Sequence, residues 1–124
     1  MANDSNRFRL RHDEKIIGYK KQIGKSFFFS KDEYAWSGAG LEYTVEDKFT
    51  GFFDNNRRAI YAEDIIEFTK NTNVKFALIL YDDILEKFQL IDMSTEDAIL
   101  YPWYDFLVDN PFVFKSFHFI QRKL

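Results

Sequence analysis

Phe49-Thr50-Gly51-Phe52-Phe53-Asp54-Asn55-Asn56-Arg57-Arg58-Ala59-Ile60-Tyr61-Ala62-Glu63-Asp64-Ile65-Ile66 sets an aromatic run, a polar turn and an aliphatic run within eighteen residues. Aromatic and β-branched side chains suit a pleated surface, so the two runs read as strands. Asp54-Asn55-Asn56-Arg57 reads as the turn between them, because Asp and Asn side chains bond nearby backbone groups and Asn tolerates positive φ. Ile60, Ile65 and Phe68 are expected to join the core. Neighbouring strand residues point to opposite faces, so Glu63 and Asp64 serve different purposes. Asp64 is expected to fix the strand entrance by accepting backbone N–H bonds, not to act in catalysis.

Working outward from this hairpin, strands are expected at Phe8 to Arg11, at Lys15 to Gln22 and at Phe27-Phe28-Phe29 after a Gly24-Lys25-Ser26 turn. Tyr34 to Gly40 reads as a loop in which Trp36 is a core plug or, alternatively, an exposed contact residue. Val74 to Tyr81 is the clearest strand, with Val74, Phe76, Leu78 and Leu80 on one face. It is followed through Asp82-Asp83 by Lys87 to Asp92, a hairpin. Ser94-Thr95-Glu96-Asp97 has the composition of a helix start, and one or two short helices are expected near residues 95–108. Phe112 to Ile120 reads as a last strand, with Phe112, Phe114 and Ile120 on one face and Val113, Phe117 and Phe119 on the other. That pattern implies burial on both sides, or one face left for a partner.

The hairpin resembles the signature of the YopX-like phage protein family: Thr50, Gly51, Asp54, Ile60, Tyr61, Asp64, Ile65 and Ile66 fall in register with it. Two departures stand out. Arg57 occupies the place of the usual turn glycine, whose role Asn56 is expected to assume, and Glu63 occupies the place of the glycine before the second aspartate. The resemblance spans about residues 8–92 and leaves residues 93–124 as a divergent extension. It implies a mainly β fold, a small antiparallel SH3-like barrel or bent sheet, and brings with it no established reaction.

A chain of 124 residues with 46% hydrophobic and 19% aromatic content suffices for one domain with one core. Residues 1–6 form a polar leader expected to fray. No Cys is present, which excludes disulfide and thiolate chemistry and suits a reducing compartment. A polar, basic start without an apolar stretch, and the lack of any run long enough to cross a bilayer, lead to the expectation of a soluble cytoplasmic protein without membrane contact. The net charge of −3 hides an asymmetry: residues 1–31 carry +5, residues 32–113 carry −11 and residues 114–124 carry +3. Basic ends around an acidic middle speak to association more than to fold.

Catalytic equipment is sparse. His12 and His118 lie near opposite ends of the chain without metal-ligand spacing, and each is expected to be a surface or strand residue. Asp82, Asp83 and Glu86 lack the glycine and ligand spacing of a calcium loop, and Gly38-Ala39-Gly40 lacks the pattern that cradles phosphate. No catalytic residue, metal or cofactor is expected. Nucleic-acid binding has a better basis, since Arg7, Arg9 and Arg11 alternate along one strand and would stand on one face. An alternating Arg strand is also the usual form of a solvated edge.

The expected function is that of a non-catalytic accessory protein of phage or prophage type. It would act on an unknown protein partner or by homo-oligomerisation, with Arg7, Arg9, Arg11, Trp36, Phe112, Phe114, Phe117 and Phe119 as candidate contact residues. A nucleic-acid-binding barrel using the basic N-terminal strand is the alternative, and an uncharacterised enzyme the third reading.

Overall fold

The computed structural model describes residues 6–70, 72–93 and 111–118. They form nine strands: β1 (Arg7–His12), β2 (Lys15–Ile23), β3 (Ser26–Ser30), β4 (Val45–Phe53), β5 (Ala59–Tyr61), β6 (Asp64–Lys70), β7 (Asn73–Asp82), β8 (Lys87–Asp92) and β9 (Phe112–Phe117). The strands belong to two sheets, one of five strands in the order β3-β2-β1-β4-β5 and one of four in the order β8-β7-β6-β9. The expected SH3-like barrel or single bent sheet is therefore corrected to two open sheets. The strand expected after the Asp54 turn is likewise corrected: it splits at Ala62-Glu63, and β5 and β6 enter different sheets. No described element is a helix, and the helices expected near 95–108 lie outside the described residues.

By its contacts the chain divides into two compact units, residues 1–51 and 52–124. In the first, β1 lies between β2 and β4 and pairs antiparallel with both. An extra residue, Ile17, bulges from β2 between the pairs Leu10↔Gly18 and Arg11↔Ile16. Gly18 has to be glycine: a Cβ there would lie 2.5 Å from Leu41 Cδ1 and 2.6 Å from the Ser30 carbonyl oxygen.

In the second unit Ile60, Ile66, Phe68, Ala77, Ile79, Leu90 and Phe112 form one buried cluster, with Phe52, Phe88 and Phe114 packed against it. Ile66 pairs with Ala77, and Ile79 with Leu90, so one face of the sheet supplies most of this core. On β7 that is the face of Ala77 and Ile79, while Val74 on the other face is 58% exposed.

Both places where the family pattern has glycine hold left-handed residues here: Arg57 has φ 63° and Glu63 has φ 74°. Asn56, expected to take the positive φ, does not do so. A left-handed non-glycine residue costs roughly 1–2 kcal/mol, and glycine costs about 0.5–1 kcal/mol in added chain entropy. Arg57→Gly should thus raise stability by up to about 1 kcal/mol in urea unfolding. A lowered stability would show that the Arg57 side chain contributes more than its backbone strain takes away.

Candidate functional site

Alternation along β1 puts Arg7, Arg9 and Arg11 on one face, and register with β4 sets Arg9 opposite Asp47. The solvated-edge reading is corrected, since β1 is an interior strand and Arg9, Arg11 and Asp47 are all buried. Arg11 grips the Asp47 carboxylate with two prongs, Nη2 to Oδ1 and Nε to Oδ2, each 2.8 Å, and Arg9 Nε adds a bond of 2.9 Å to Oδ2. Bidentate guanidinium–carboxylate contacts of this kind are the stronger sort of charge-assisted bond. Arg7 is ion-paired with Glu33 and lies over the rings of Phe49 and Trp36.

Trp36 is half-buried. Its indole nitrogen donates to the Glu33 carbonyl at 3.1 Å, and Lys21 Nζ stands 4.3 Å from its ring centroid. The loop carrying it is folded by Asp32. The Asp32 carboxylate accepts from the backbone N–H groups of Ala35 and Tyr34 and from the Ser30 hydroxyl. Those bonds, Ala35 foremost, hold its carboxyl below the usual aspartate value. Ser37 closes the loop against the outer edge of β3, exchanging two backbone bonds with Phe29 of 2.7 and 2.9 Å. Between loop and strand lies a groove of about 520 Å³ lined by Phe29, Ser30, Asp32, Ala35, Ser37 and Leu41 among others. Beyond Phe29 the edge strand leaves Phe27 46% exposed, and Ile23 at the end of β2 is 60% exposed.

Of the signature residues, Thr50 and Gly51 lie in β4 within the first unit, and Asp54 and Asp64 anchor turns of the second. Asp54 is buried, and its Oδ1 accepts the N–H groups of Asn56 and Arg58, both at 2.8 Å. Its Oδ2 accepts the N–H of Phe114 in β9, also at 2.8 Å, and Asn55 N–H donates to the Phe112 carbonyl. The turn thus seals the outer edge of the last strand. Asp54→Ala should cost about 2 kcal/mol, mostly from the Phe114 donor, because the exposed turn donors regain water. Urea unfolding measures this, and a cost below about 0.5 kcal/mol would show the edge bond to be dispensable. Asp64, also buried, accepts the Tyr61 N–H at 2.8 Å, and Ile60 and Tyr61 are buried beside it in sequence. Thr50 is buried and Gly51 has φ 89°.

The last strand departs from the expected alternation. Ile65 pairs with Ser116 but Ile66 pairs with Phe114, so Lys115 is an extra, bulged residue. The bulge reverses the parity after it and puts Phe117 on the face of Phe112 and Phe114, where the Phe114 and Phe117 rings meet at 4.8 Å. The Arg58 guanidinium stacks on this pair, 3.7 Å from the Phe114 centroid and 5.5 Å from that of Phe117. His118 Nδ1 lies 3.1 Å from Glu63 Oε1. Phe119 and Ile120 lie outside the described residues.

Among the described residues no three of His, Asp and Glu are grouped to hold a metal ion, and no helix is long and apolar enough to cross a membrane. The groove residues Ser30, Asp32, Ser37 and Leu41, and the carboxylate of Asp47, escaped the sequence reading. For Asp47 the sequence holds only one charge in the run Glu46-Asp47-Lys48, and its meaning needs the β1–β4 register. Comparison with protein-family models, curated proteins and solved structures finds no match to the chain.

Proposed function

We propose that the protein is a non-catalytic accessory protein of phage or prophage type, cytoplasmic, that works by binding another protein through the groove beside β3. The phage-type assignment rests on the resemblance of the Thr50 to Ile66 hairpin, and the two left-handed residues at the pattern's glycine positions are consistent with it. The observation that carries the binding reading is the groove itself. It is about 520 Å³ in volume and combines apolar walls from Phe29, Ala35 and Leu41 with the polar groups of Ser30, Asp32 and Ser37. Such a mixture is typical of recognition sites. The exposed Phe27 extends the apolar surface along the same edge strand. Nucleic acid is the weaker reading, because Arg9 and Arg11 direct their guanidinium groups to Asp47.

Ala39→Trp, which fills the groove from an exposed loop position, tests the proposal. The wild-type chain should retain a defined protein partner from host or phage lysate, and the variant should lose that partner by at least about tenfold at an unchanged melting temperature. Equal retention by both proteins would overturn the groove. A salt-sensitive gel shift of single-stranded DNA or RNA by the wild type, undiminished in the variant, would favour the nucleic-acid reading instead.

A further inference from the structure

One carboxylate positions both members of the Arg58–Phe114 stack. Asp54 Oδ1 accepts the Arg58 N–H and Asp54 Oδ2 accepts the Phe114 N–H, each at 2.8 Å, so the arginine and the ring beneath it hang from a single anchor. The guanidinium carbon lies 3.7 Å from the Phe114 centroid and 5.5 Å from that of Phe117, both within the roughly 6 Å over which a ring attracts a cation. At 3.7 Å the contact is made on the ring face, and the N–H donors around the guanidinium rim point past the ring. Arg58 is exposed, and among the described residues its side chain meets no acceptor and no carboxylate. The turn's own carboxylate is spent, since Asp54 Oδ1 also takes the Asn56 N–H. Arg57 beside it is likewise exposed, with no partner for its side chain among the described residues, on a left-handed backbone that glycine would occupy with less strain.

A side chain that only shields two rings from water needs its aliphatic stem against them, with the charged head left in solvent. Here the head itself covers Phe114. A guanidinium fixed on an aromatic face has already given up much of its side-chain freedom, and it keeps the planar fork that matches two oxygens of one anion. Binding an anion there costs less ordering than binding it on a free arginine. We propose that Arg58, held on Phe114 and assisted by Arg57, is a binding site for a phosphate monoester. Two unpaired guanidinium groups on adjacent residues match an anion with more than one charge and more than two acceptor oxygens. A monoester brings a charge of about −1.5 to −2 and three strong acceptor oxygens at neutral pH, whereas a carboxylate or a phosphodiester brings a single charge. The site belongs to the Asp54 turn and β9, and it does not rest on the groove reading.

The test titrates methyl phosphate into the full-length protein, with sodium chloride at equal ionic strength as the reference, and follows the Arg58 Nε–Hε resonance and the Phe114 ring resonances. Saturable shifts with a Kd on the order of mM are expected. Dimethyl phosphate, the singly charged counterpart, should bind about tenfold more weakly. Arg58→Lys keeps the charge and loses the fork, so it should weaken methyl phosphate by about tenfold at an unchanged melting temperature. Arg57→Gly should weaken it by about threefold or more without lowering the melting temperature. No saturable shift in the wild type, or equal affinity in the wild type and Arg58→Lys, overturns the site and leaves the groove reading untouched. If Arg58→Lys fails to fold, the wild-type Arg58 resonance decides, and its failure to move overturns the site. Dimethyl phosphate binding as well as methyl phosphate overturns the monoester assignment and favours the diester of a nucleic acid. Acetyl-phosphoserine amide and ribose 5-phosphate separate the two sources of the group: tighter binding than methyl phosphate by the first supports the site as one for a phosphoprotein, and by the second as one for a sugar phosphate.

Discussion

Asp47→Ala should lower the unfolding free energy by about 3–5 kcal/mol, the range found when one partner of a buried ion pair is removed. Asp47 is 3% exposed and its carboxylate receives one bond from Arg9 and two from Arg11. The variant leaves two buried guanidinium groups without that anion and opens a space the size of a carboxylate. Asp47→Asn keeps the shape and part of the hydrogen bonding, so its cost should be smaller, about 1.5–3 kcal/mol. Urea unfolding followed by circular dichroism measures both. A loss below about 1 kcal/mol for Asp47→Ala would mean that the arginines find equivalent acceptors elsewhere.

Phe112→Ala should cost a similar amount, about 3–5 kcal/mol, as expected for emptying the site of a buried aromatic ring. Phe112 is 5% exposed, pairs with Phe68 and belongs to the main buried cluster. Val113, one residue on, faces the other side of the sheet and is only half-buried, so Val113→Ala should cost about 1 kcal/mol or less. Equal losses at the two positions would indicate that both faces of β9 are covered. A light-scattering mass for each variant shows whether either change alters assembly as well as stability.

The strands were legible because their signals are local. Phe27-Phe28-Phe29 and Val74 to Tyr81 are short, largely apolar runs, Lys87 to Asp92 alternates polar residues with Phe88 and Leu90, and all three lie in observed strands. Face assignment was less accessible. On β7 the larger alternating set, Val74, Phe76, Leu78 and Leu80, is not the one that joins the main cluster. Ile66 and Phe68 of β6 fill that space, and β7 contributes the small Ala77 beside Ile79. Volume is shared between strands, and one strand's sequence does not state its neighbour's part. In β9 the bulge at Lys115 defeats any count of alternate residues beyond it, since nothing in Lys115-Ser116 marks the extra residue. Closure into a barrel depends on which strands meet at the ends of a sheet, a non-local fact that the Asp54 turn motif cannot encode. The groove was hidden for the same reason, because it exists only where the Asp32 loop returns to β3.

The Asp54 carboxylate joins the ends of a segment sixty residues long, since its Oδ2 waits for the amide of Phe114. During synthesis the turn can close on Asn56 and Arg58 as soon as they are made, but β6 has no neighbour on one side until β9 emerges. The four-stranded sheet is therefore completed late, by a contact between distant parts of the chain that carries a large loop-closure entropy. A nascent chain stalled before residue 112 would expose the apolar row of Ile66 and Phe68 along an open edge. For this protein the hazard of misassociation is thus concentrated in the interval between making the signature hairpin and making the strand that it seals.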